Sequence, residues 1–64
     1  MKLKDLKQGA FFTRKPIAAP KESQVWIRGG YDRSSGSYEC TRFDDINDFR
    51  QIKGETEVYT EFVF

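Results

Sequence analysis

Histidine is absent from the 64 residues, and cysteine occurs once, at Cys40. Without histidine there is no Ser–His or Cys–His pair, and the commonest general base is missing. One cysteine cannot close an intramolecular disulfide, and with no histidine beside it no structural zinc site of the usual nitrogen and sulfur ligands can be assembled. Apolar runs are short: Met1-Lys2-Leu3-Lys4-Asp5-Leu6-Lys7 has no continuous apolar core of the kind a signal peptide carries, and nothing approaches transmembrane length. A lone reduced thiol suits a reducing compartment. The expectation is a cytoplasmic chain with no metal, no cofactor, no small-molecule substrate, no membrane attachment and no catalytic residue.

Aromatics are what the chain has in quantity: six Phe, three Tyr and one Trp. Residues 1–64 are enough for one small domain, which buries only about 60% of its unfolded surface. Such domains need dense apolar packing or self-association to be stable. Net charge is +1, unevenly divided: residues 1–43 sum to +5 and residues 44–64 to −4. That asymmetry reads either as a nucleic-acid face or as two halves that cancel once folded.

The densest stretch is Gln24–Phe43, which reads as a bent β-hairpin. Asp32-Arg33-Ser34-Ser35-Gly36-Ser37 has turn chemistry, with Asp32 able to bond following amides and Gly36 suited to a left-handed residue. A four-residue loop at 33–36 sets Asp32 opposite Ser37 and Tyr31 opposite Tyr38. Continued inward, it sets Gly29 opposite Cys40 and Trp26 opposite Phe43. Val25, Ile27, Tyr31, Tyr38 and Cys40 then share a core face; Trp26, Arg28, Glu39, Thr41 and Phe43 share the other. Gly29-Gly30 in mid-strand marks a bulge or a barrel corner.

Before the hairpin, Leu3 and Leu6 suggest one helical turn closed by Gly9. Ala10–Lys15 reads as a first strand, and Pro16 and Pro20 bracket a connecting loop. After it, Asp44, Asp45 and Asp48 suit a helix start, so a short helical turn at 44–48 precedes a strand at 49–53. They lack the Gly and the twelfth-position Glu of a calcium loop. Residues 57–64 are rich in β-branched and aromatic side chains and read as a last strand. The fold expected is all-β: a small antiparallel five-stranded SH3-like barrel with one short helical turn. The alternative is α+β, a curled antiparallel sheet packed on a short helix over 44–52.

Trp26, Arg28, Arg33 and Phe43 form the candidate binding face, since aromatics stack on bases and arginines contact phosphates. The structural alternative is that Trp26 and Phe43 are a cross-strand pair covered by a neighbouring element. Apolar Phe62-Val63-Phe64 gives a second function, as an edge that pairs with a protein partner or a second copy, unless it closes the barrel. Cys40 reads as a small core hydrophobe.

The string Leu3-x-x-Leu6-x-x-Gly9-x-Phe11, then Val25-Trp26-x-Arg28-Gly29-x-Tyr31-Asp32-Arg33, Tyr38-x-Cys40, and Lys53-Gly54 before Val58-Tyr59 resembles small uncharacterised β-rich proteins of bacteria and their phages. The resemblance spans nearly the whole chain through turn and core signatures. It implies a β-rich fold and an accessory role, and no activity. The expected function is therefore a non-enzymatic binding or accessory module, acting in protein association or homo-oligomer formation; the alternative is single-stranded nucleic-acid binding.

Overall fold

The turn at 33–36 forms as its chemistry dictates. The amide of Ser34 donates to Asp32 Oδ1 at 2.9 Å, the amide of Gly36 donates to the Asp32 carbonyl at 2.9 Å, and Gly36 takes φ +66°. A left-handed residue costs glycine almost nothing. From this turn β2 (Trp26–Asp32) and β3 (Ser37–Arg42) run back antiparallel, with Asp32 opposite Ser37 and Tyr31 opposite Tyr38.

The expected pairing stops at the glycines. Beyond Gly29-Gly30 the register shifts by one, so that Arg28 faces Cys40, Ile27 faces Thr41 and Trp26 faces Arg42. The two glycines form a bulge. Gly29 lies so close to β3 that a Cβ there would sit 2.1 Å from the Glu39 carbonyl oxygen. Because side chains alternate with period two, the slip exchanges the faces of everything below it. This corrects the Gly29–Cys40 and Trp26–Phe43 pairs and moves Trp26 to the side of Cys40, with Ile27 on the opposite side.

The computed structural model describes residues 1–63. Four strands, with β1 at Phe11–Phe12 and β4 at Asp45–Lys53, make one antiparallel sheet in the order β1-β2-β3-β4. The rest of the regular structure is two single 3-10 turns, Leu3–Asp5 and Glu22–Gln24. The all-β antiparallel character stands, but the sheet is open and has four strands. A curled open sheet fits better than the five-stranded closed barrel, and the barrel corner at Gly29-Gly30 is a bulge in that sheet.

Three segments differ from expectation, the first being the strand expected over Ala10–Lys15, which is only Phe11–Phe12. The helical turn at 44–48 is instead part of β4. Phe43-Asp44 turn the chain, Arg42 pairs with Asp45, and Thr41 pairs with Phe49, so three extra residues bulge out between them. Asp45 Oδ1 accepts the Asn47 amide at 3.0 Å, a local bond that competes with helix formation. The strand expected over 57–64 makes only isolated bridges, Glu57 to Lys2 and Tyr59 to Thr13. Its backbone is used irregularly: the Val58 amide donates to Met1 at 2.8 Å and the Val63 amide to Ala18 at 2.9 Å. Phe64 lies outside the described residues.

The core forms on one side of the sheet from Leu3, Phe12, Trp26, Cys40, Ile52 and Val58, with Leu6 and Tyr38 packed against them. The N-terminal turn and the segment around Val58 supply its cover. They are held together by the Leu3 amide donating to Thr56 at 3.0 Å and the Lys4 amide to Gly54 at 3.1 Å. Of the five residues expected to share the core face, Cys40 and Tyr38 belong to this cluster. Val25 is fully buried outside it, Ile27 is half-buried, and Tyr31 is 54% exposed.

Candidate functional site

The candidate residues do not share one surface. Trp26 lies in the core, 8% exposed, paired across β1 with Phe12. Arg28 is half-buried, its guanidinium 4.1 Å from the Tyr38 ring centroid and its Nη1 donating to the Gly29 carbonyl at 2.9 Å. Arg33 is exposed at the hairpin tip. Phe43 sits on the other side of the sheet, edge-on to Phe11 with centroids 5.5 Å apart. The bulge at Gly29-Gly30 is what separates Trp26 from Phe43.

The side of the sheet away from the core carries a feature that the one-residue slip conceals in the sequence. Phe11 faces Ile27, Ile27 faces Thr41 and Thr41 faces Phe49, a continuous row across all four strands. Phe43 adjoins it through Phe11. Phe11 is 41% exposed and Phe49 59% exposed, while Ile27, Thr41 and Phe43 are half-buried. Ile46, pushed out by the β4 bulge, is 78% exposed. Sequence reasoning assigned Phe49 to a strand but had no means of placing it in one row with Phe11, because that alignment depends on both bulges.

Electrostatics on this end of the molecule are largely internal. Arg42 gathers Asp44 (2.9 Å), Asp48 (3.1 Å) and Asp45 (3.8 Å) around its guanidinium. At the opposite end Glu55 accepts from Lys2 at 2.6 Å and Lys4 at 2.7 Å. Those two hydrogen bonds, and then the charges behind them, lower the Glu55 carboxyl to about 2, and the bond to Glu55 raises the Lys4 ammonium. Burial pushes the Cys40 thiol up, away from the nucleophilic thiolate.

On the core side, an open cleft of about 500 Å³ is lined by Arg14, Lys15, Ile17, Gln24 and Trp26. The Arg50 guanidinium stands over the Trp26 ring, 5.8 Å from its centroid. Among the described residues no helix is long and apolar enough to cross a membrane. No known protein family, curated protein or solved structure matches the chain.

Proposed function

We propose that this protein is a non-enzymatic association module of the cytoplasm, and that its outer sheet face seats a second copy of the chain. The row Phe11–Ile27–Thr41–Phe49 is the observation that carries this reading. An exposed apolar row on the face away from the core, with Phe49 59% exposed, is the kind of surface that a partner covers. The molecule is a slab, 34 × 25 × 16 Å, so its broad face is large for its mass. A stable dimer buries about 800 Å² per partner, which a face of that extent can supply.

A second copy suits the face because a two-fold axis sets a surface patch against itself. The row itself contains no charged side chain, so an isologous contact centred on it sets apolar groups against each other, with Glu39 at its margin. An accessory role in a bacterial or phage setting, implied by the resemblance of its turn and core signatures, belongs to the same proposal. The site is thus the outer face rather than the apolar C-terminal edge.

Sedimentation equilibrium on the wild type and on Phe49→Ser tests it. The wild type is expected to show dimer mass at high micromolar concentration, and the variant to dissociate at least about tenfold more readily, equivalent to about 1.4 kcal/mol. Phe49 is too exposed for this change to unfold the domain, which circular dichroism verifies. A single-chain mass for the wild type throughout the range, or an unaltered dissociation constant for Phe49→Ser, would reject the reading.

A further inference from the structure

The cleft beside Trp26 lies on the opposite side of the sheet from the association face, and it has a different chemistry. Two of its five lining residues, Arg14 and Lys15, are cations, and none is a carboxylate. Arg14 and Lys15 are exposed and, among the described residues, neither makes an ion pair. This distinguishes them from Lys2, Lys4 and Arg42, whose charges are met by Glu55 and the aspartates. A third cation, Arg50, stands over the indole, with only a distant 4.0 Å approach to Asp48. The remaining walls are apolar Ile17 and the amide of Gln24. Gln24 Oε1 already accepts the Lys21 amide at 2.9 Å, which leaves its NH₂ group as a donor.

Unpaired cations, an indole edge, an aliphatic wall and an amide donor are complementary to a phosphate joined to a planar polar ring. A cleft of about 500 Å³ is in the range that small ligands occupy. We propose that this cleft is a nucleotide-phosphate site, with the phosphate against Arg14 and Lys15 and the base beside Trp26 and Gln24. The indole is almost wholly covered, so the base meets its edge and the adjoining Ile17 side chain rather than stacking on a free face. Free nucleotides and single-stranded nucleic acid present the same group. The openness of the cleft to solvent favours the polymer.

Trp26 is the only tryptophan, so every emission change comes from this one side chain, which borders the cleft. The test titrates the protein at low salt with thymidine 5′-monophosphate and, separately, with a ten-nucleotide thymidine oligomer. The double variant Arg14→Ala/Lys15→Ala and the hairpin-tip variant Arg33→Ala are run beside the wild type. Saturable change in Trp26 emission is expected, with affinity reduced at least about tenfold in the double variant and unchanged within about twofold in Arg33→Ala. For the oligomer, loss of two phosphate contacts lowers the magnitude of the log–log salt slope by about 1.4. Tighter binding of the oligomer identifies a polymer; equal binding identifies free nucleotide. Absence of any Trp26 response or amide shift up to millimolar probe would overturn the proposal. An equal loss in Arg33→Ala would also overturn it, because binding would then be diffuse attraction to positive charge.

Discussion

Gly29 and Gly30 are neighbours with unequal duties. A Cβ at Gly29 would press into the Glu39 carbonyl at 2.1 Å, whereas one at Gly30 would meet nothing within 4 Å. Backbone cannot retreat without parting β2 from β3, so Gly29→Ala is expected to cost about 1–3 kcal/mol. Gly30→Ala, at an exposed position, should stay within about 0.5 kcal/mol. Urea midpoints for the two variants provide the comparison; equal midpoints would mean that the bulge does not depend on close approach. Glu55 supplies a pH-dependent prediction. Its carboxyl is lowered from 4.5 to about 2 in the folded chain, so its pairing with Lys2 and Lys4 stabilises fully above 4.5 and is lost as pH falls toward 2. Thermal unfolding of the wild type and Glu55→Gln should therefore differ at neutral pH and converge near pH 2. The gap should be small and should shrink in salt, because the pair is exposed. Cys40 is fully buried, so a thiol reagent should label it only through opening, at a rate that rises with urea in step with unfolding.

At the scale of the element, β4 depends on one arginine. Arg42 draws Asp44, Asp45 and Asp48 together where the strand bulges. Arg42→Ala leaves three like charges side by side and should destabilise by about 1 kcal/mol, an effect reduced in high salt; an unchanged urea midpoint at low salt would refute it. These aspartates also explain where the sequence misleads. Acidic residues serve a helix start and an Asx-type turn equally well, and only the pairing of Thr41 with Phe49 decides between them. The 33–36 turn was legible because Asp32 and Gly36 act within six residues. Gly29-Gly30 was legible as a break in the strand, but whether it is a bulge or a barrel corner, and the one-residue slip it imposes on Trp26–Arg28, are settled by the pairing with β1 and β3. Hence Trp26, read as a binding residue, is core, and the outer row of Phe11, Ile27, Thr41 and Phe49 could not be assembled from propensity. The last segment shows the reverse failure: Val58, Tyr59 and Val63 have strand propensity, yet Met1 and Ala18 each accept one bond and Thr13 makes one isolated reciprocal pair, rather than a strand edge.

The whole molecule is an open sheet with a core on one side and an apolar row on the other. Its cover on the core side comes from both chain ends, pinned by the Met1 ammonium on Glu57 at 2.6 Å as well as by Glu55. The self-association proposed for the outer side and the anion proposed for the Trp26 cleft use opposite faces. The central claim is that a second copy covers the outer face. Amide chemical shifts followed through a dilution series test it most directly. The account predicts concentration-dependent shifts concentrated at Phe11, Ile27, Thr41 and Phe49, with Arg14 and Lys15 unmoved. Shifts absent over the whole series, or centred instead on the Arg33 hairpin tip, would contradict it.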